Sequence, residues 1–226
     1  MREFLCGRNT VIEAIKNELP IESIITTRKG EIQNLASSSN FSIKESTRTE
    51  MDKMTKENHQ GFIAIIKPYN YYDLDTVFKD KPSKILILDH IQDPHNLGAI
   101  IRSANAAGVF HIIIPKNRAA SISLSSLKVA SGGHVGIKVI KVNSLIDAIS
   151  KLKQKSFWIY SSTLENANPI DEVVFNYPLA IIVGNEQKGV SRTLIKHSDD
   201  RIYIPMKGNV ESLNVSVAAG IMLFKI

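Results

Sequence analysis

Residues 85–115 read ILILDHIQDPHNLGAIIRSANAAGVFHIIIP. The runs Ile85–Leu88 and Ile112–Ile114 are short and apolar at every position, which suits strands buried on both faces. Between them, Asp93-Pro94-His95-Asn96 supplies a turn and a helix cap. Leu97, Ile100, Ile101 and Ala104 then recur at helical spacing as a core face, while Gly98, Arg102 and Asn105 fall on another. Strand, helix and strand in this order predict a parallel βαβ unit.

Outward from this unit the same grammar continues. Apolar runs recur at Ile137–Val142, Phe157–Tyr160, Ala180–Val183 and Ile202–Ile204, with helical patterns over 97–107, 144–153 and 190–197. An α/β fold with a parallel sheet is therefore expected over residues 85–226. Its last segment, Asn214–Phe224, is apolar on almost every face and should be buried or pressed against another subunit. Residues 1–67 read as a small mixed domain, with a helix beginning after Thr10 and strands at Ile24–Thr27 and Phe62–Ile66. Residues 68–84 mix Pro, Asp, Tyr and Lys without a period, as a linker would.

Composition narrows the class of protein. The 226 residues are 43% apolar and 22% charged, which excludes wholesale disorder. Cys6 is the single cysteine, so no internal disulfide framework exists and a reducing compartment is expected. The first twenty residues show no signal-peptide pattern, and no uncharged apolar run approaches the ~18 residues of a membrane span. A cytoplasmic protein that does not enter membranes is the expectation. The net charge of +6 is concentrated in residues 85–156, where nine basic residues face three acidic ones. Lys116, Arg118, Lys128, Lys138 and Lys141 are candidates for contact with a polyanion such as RNA, or simply a solvated face. The six histidines are scattered, so no metal site is expected, and no glycine fingerprint for a dinucleotide is present.

Ligands of open α/β sheets collect beyond the C-terminal strand ends. Three such ends carry polar clusters: 88–108 with Asn96 and Arg102, 181–191 (IIVGNEQKGVS) with Gly184 and Glu186, and 202–220 (IYIPMKGNVESLNVSVAAG) with Ser212 and Asn214. Arg102, beside a helix start thinned by Gly98, is placed for a phosphate. Taken singly, each cluster is also explained as a surface arginine, an ordinary turn or an N-cap.

Taken together, DPHNLGAIIRSANAAG, IVGNEQKGVS and IPMKGNVESLNVSVA resemble the three motifs of the SpoU (TrmH) family of RNA ribose 2′-O-methyltransferases. CGRNTVIEAI and HQGFIAIIKP resemble the N-terminal substrate-binding extension of a subgroup acting on a guanosine of 23S ribosomal RNA. The resemblance implies a parallel sheet with a C-terminal deep trefoil knot of the SPOUT type, which general topology rules would have argued against. It also implies S-adenosylmethionine as cofactor, held around Gly184, Ile204 and Leu213 with Met206 nearby. Arg102, Asn96, Glu186, Ser212 and Asn214 would form the catalytic set, with Asn96 steadying Arg102. RNA and a second copy of the chain, through the final helix, are the implied partners, and DNA is not. Methylation of transfer RNA or of another ribosomal position, or RNA binding without catalysis, remain as alternatives.

Overall fold

The computed structural model describes residues 3–34 and 41–226, and the chain divides into two units, 1–70 and 71–226. In the first unit the order is β1 (Glu3–Cys6), α1 (Arg8–Lys16), β2 (Ile21–Thr26), α2 (Lys29–Gln33), β3 (Ser42–Glu45), α3 (Arg48–Met54) and β4 (Phe62–Ile66). The sheet order is β1-β4-β2-β3, with β4 antiparallel to both neighbours and β2 parallel to β3. β4 is buried along its whole length, as its FIAII sequence requires of a central strand. The edge strand β3 is largely exposed and carries one apolar residue, so it left no pattern to read. α3 starts with a reciprocal cap, in which Thr47 Oγ1 accepts from Glu50 N and Glu50 Oε2 accepts from Thr47 N.

The second unit begins with α4 (Asp75–Asp80), β5 (Lys84–Asp89), α5 (Pro94–Ala106), β6 (His111–Pro115), α6 (Leu124–Ala130) and β7 (Lys138–Val142). It continues with α7 (Leu145–Lys153), β8 (Trp158–Ser162), β9 (Asn168–Pro169), β10 (Leu179–Gly184), α8 (Arg192–His197), β11 (Asp200–Tyr203) and α9 (Val215–Lys225). Seven parallel strands take the order β7-β6-β5-β10-β8-β11-β9. Asp93 caps α5 by accepting from His95 N, with Pro94 in the first turn, as the turn signal implied.

The stretch expected to be a linker is partly built into this unit. Tyr72 forms a bridge with Ile140, and Val77 on α4 is fully buried in the core beside Ile85 and Ile113. A six-residue helix with one buried side chain is too short to show a period. At its end Asp80 accepts from Lys138 and from His111 Nε2, the latter at 2.7 Å. Lys138 first, and His111 second, hold the Asp80 carboxyl below its ordinary value. A carboxylate whose folded pKa is depressed stabilises the fold above its unfolded pKa, and that contribution is lost as pH falls through the folded value. Urea titrations should therefore show acid sensitivity below about pH 4 that Asp80→Asn reduces. An identical acid profile in the variant would remove Asp80 from this role.

The final helix is largely buried by its own chain, one of the two outcomes its apolar faces implied. Val215, Ala219 and Met222 are buried within the chain. α9 packs on α5, where a side chain at Gly220 would touch Ser103. Val217 and Phe224 are the apolar side chains of this helix left outside, at 48% and 65% exposure.

The topology locates the site. The chain runs β5, β6, β7 in one direction and then crosses to β8 on the far side, with β10 inserted beside β5. The order reverses between β5 and β10, whose C-terminal residues Asp89 and Gly184 are paired. Open α/β sheets bind their ligands in the crevice at such a point.

Candidate active site

Beyond β10 the chain folds back tightly on itself. Asn185 and Gly189 exchange backbone hydrogen bonds of 3.1 and 2.8 Å. Asn185 Nδ2 donates to the His90 carbonyl at 3.0 Å, and Ser191 N donates to Asp89 Oδ2 at 2.7 Å. The turn is thus tied to the end of β5 at both of its shoulders. A Cβ on Gly184 would fall within bonding range of the Gly189 carbonyl carbon and Val190 nitrogen. The protein's own backbone crosses at Gly184, which by itself requires a glycine there.

The polar residues of the three motifs meet in a line. Asn96, on the first turn of α5, donates through Nδ2 to Glu186 Oε1 at 2.8 Å. Asn214 Nδ2 donates to Asn96 Oδ1 at 3.1 Å. Asn214 Oδ1 in turn caps α9, accepting from Ser216 N at 2.9 Å and from Ser216 Oγ at 2.6 Å. Asn214 is therefore the N-cap of α9 and at the same time a member of this line. Each amide uses its donor and its acceptor, which fixes its orientation and aims Glu186.

Arg102 stands apart from this line. It is exposed on α5, and among the described residues its guanidinium has neither an ion pair nor a hydrogen bond. Asn96 is engaged elsewhere, so the expectation that it steadies Arg102 is corrected. Gly98 is also not a thin spot open to a ligand: it is buried, and a Cβ there would collide with Ser126 and Val129 of α6. Gly133 similarly lets the turn after α6 close over the backbone of Arg102.

The third motif lines a cavity of about 430 Å³. Ile204, Met206 and Leu213 provide apolar wall, together with Ile202 and with Met222 of α9, and Ser212 stands at the same cavity. Ser162, Thr163 and Glu165, at the C-terminal end of β8, contribute polar groups. An apolar slot with a few polar groups suits an adenine ring carrying a polar tail, so the residues present fit S-adenosylmethionine. Gly184 does not line this cavity. The β8 end was missed in the sequence, although SSTLE directly after an apolar run is the same signal that marked the other strand ends.

Two of the basic candidates are engaged within the protein. Lys138 is paired with Asp80, and Lys141 donates to Ser121 Oγ at 3.0 Å with its ammonium 3.8 Å from the centre of the Tyr71 ring. Both belong to the outer strand β7, whereas Arg118 follows β6 and Lys128 lies on α6. Among the described residues no cluster of His, Cys, Asp or Glu suited to a metal ion occurs, and no helix is long and apolar enough to cross a membrane.

Comparison with known proteins gives consistent matches along the chain. Residues 83–224 match the SpoU rRNA Methylase family, and residues 4–72 match the family of RNA 2′-O ribose methyltransferase substrate-binding domains. A Staphylococcus saprophyticus protein named for the TrmH family of tRNA/rRNA methyltransferases is 38% identical, covering 98% of this chain and 94% of its own. A Bacillus subtilis protein named for the same family is 33% identical, covering 99% and 94%. The crystal structure of an AdoMet-bound rRNA methyltransferase from Sinorhizobium meliloti has the same fold, with a TM-score of 0.75 at 23% identity over 99% of this chain and 86% of that one. The fold class is accordingly the expected one: a small N-terminal domain and an α/β domain with a parallel sheet, of the SPOUT type to which a C-terminal trefoil knot belongs.

Proposed function

Because the chain belongs to the SpoU rRNA methylase family of RNA methyltransferases, we propose that it methylates the ribose 2′-hydroxyl of a guanosine in 23S ribosomal RNA. The observation that carries this reading is the hydrogen-bonded line Glu186–Asn96–Asn214, which ends one residue from Leu213 in the wall of the cofactor cavity. S-Adenosylmethionine, bound in that cavity, supplies an electrophilic sulfonium methyl group. The chain's own residues must orient a ribose hydroxyl and accept its proton. Arg102, whose guanidinium presents a planar fork of donors, is suited to clamping a substrate phosphate. Within the set Arg102, Asn96, Glu186, Ser212 and Asn214, Glu186 is the carboxylate, and its Oε1 is already positioned by Asn96. Ser212 supplies a further hydroxyl at the cavity.

The test is a map of 2′-O-methylation in RNA from cells that lack the protein and from cells in which it is restored. Loss and recovery at one guanosine of 23S RNA is expected. A change confined to transfer RNA would keep the chemistry and overturn the substrate.

The same reading makes the protein a homodimer in which α9 presents Val217 and Phe224 to the partner. Exposed apolar side chains on one helix are an association surface. Sedimentation at micromolar concentration should show a dimer, and Val217→Glu combined with Phe224→Glu should give a monomer. A monomeric wild type would overturn the dimer.

A further inference from the structure

A second cavity, of about 490 Å³, shares Lys188, Gly189 and Val190 with the cofactor cavity and is otherwise built from different residues. We propose that it is the subsite for a phosphodiester of the substrate RNA, with Arg118, Lys188 and Arg192 as its ligands. The proposal rests on the reading of the protein as an RNA methyltransferase and adds where its substrate's backbone is held.

The electrostatics of the cavity are one-sided. Among the described residues, none of these three cations makes an ion pair or a side-chain hydrogen bond. Asp89 is the one carboxylate in the wall, and it is buried with both oxygens occupied. Its Oδ2 accepts from Ser191 N at 2.7 Å, and its Oδ1 lies 2.6 Å from His90 Nδ1. Gln92 and Gln187 add neutral amide donors. Three uncompensated cations around one concavity attract a polyanion, and guanidinium groups match phosphate oxygens in geometry as well as charge.

The walls are also tied together. Ala120 N donates to the Ile91 carbonyl at 2.7 Å, which fastens the segment carrying Arg118 to the segment after β5. Asn185 fastens the turn carrying Lys188 to His90. Arg118 and His90 both hold left-handed backbone, with φ of 56° and 59°, a conformation that non-glycine residues rarely adopt. A ribose presented to the cofactor is flanked by phosphates on both sides. A basic cavity that shares three wall residues with the cofactor cavity is placed to receive one of them.

The test measures binding of the full-length protein to a mixed-sequence single-stranded oligoribonucleotide across a range of salt concentrations. Arg118→Ala and Arg192→Ala should each weaken binding and each reduce the slope of log affinity against log salt by about 0.7, the value for one lost phosphate contact in a single strand. Affinity for S-adenosylmethionine should not change, which also shows that the variants are folded. Lys151→Ala removes the same charge from the exposed face of α7 and should leave the slope as it is. Unchanged slopes in both arginine variants, or an equal drop for Lys151→Ala, would overturn the subsite. Methyl transfer from labelled S-adenosylmethionine by the wild type separates this from the parent reading. If the wild type methylates RNA and the slopes do not move, the subsite alone fails. If the wild type methylates no RNA, the enzymatic reading fails whatever the slopes show.

Discussion

Arg102→Ala is expected to bind S-adenosylmethionine as the wild type does and to lose at least ~10²-fold in turnover, the scale of a lost catalytic group. The side chain does not line the cofactor cavity and has no hydrogen-bond or ion-pair partner among the described residues. Its removal therefore leaves both the cavity and the amide line standing. What disappears is a planar guanidinium fork on α5, and with it the proposed clamp on the substrate. Correct positioning contributes up to roughly 7–11 kcal/mol in favourable cases, so its loss is costly. Arg102→Lys should fail nearly as badly, because an ammonium keeps the charge and loses the fork. Titration of labelled cofactor and single-turnover methyl transfer check the two halves. Near-normal turnover in Arg102→Ala would exclude the clamp.

Gly184→Ala is expected to have the largest effect on stability, above about 4 kcal/mol, because a single methyl group has nowhere to go. Its Cβ would meet the backbone of Gly189 and Val190, which cannot rotate aside as a flexible side chain can. The turn is tied to β5 through Asn185 and Ser191, so relief requires breaking those hydrogen bonds as well. Cofactor binding should be lost with the fold of this turn, since Lys188, Gly189 and Val190 line the cavity. Gly189→Ala provides the contrast. It has left-handed φ of 64° but open space around the added methyl. The cost there should be about 1–2 kcal/mol, the penalty of left-handed backbone alone. Urea unfolding of the three proteins gives the ranking, and a wild-type midpoint for Gly184→Ala would refute the backbone crossing.

Much of the architecture was legible in the residues because burial on both faces leaves an unambiguous mark. The runs Ile85–Leu88 and Ala180–Val183 are strands that neighbours cover on every side, and parallel sheets are built from such runs. The turn Asp93-Pro94 and the amphipathic spacing of 97–104 likewise specify α5 locally. Elements with little to bury stayed silent: the exposed edge strand β3, the short α4, and the two-residue β9. The polar clusters were visible as residue types after strand ends, but their connections were not. Asn96 and Asn214 lie 118 positions apart, and no local pattern encodes a hydrogen bond between them.

Only the tertiary structure decided what each glycine and each charge is for. Gly98 read as a thin spot for a ligand, yet it admits α6, and Gly184 makes room for the chain's own return. The charge count pointed to residues 85–156, but Lys138 is paired with Asp80 and Lys141 lies against Ser121 and the Tyr71 ring. The basic cavity instead takes Arg118 from that segment and Lys188 and Arg192 from a segment whose formal charge is slightly negative. Periodicity and burial are properties of neighbouring residues and are written along the chain. A site is a property of residues that meet through the order of strands, and that order is set by how β10 enters between β5 and β8.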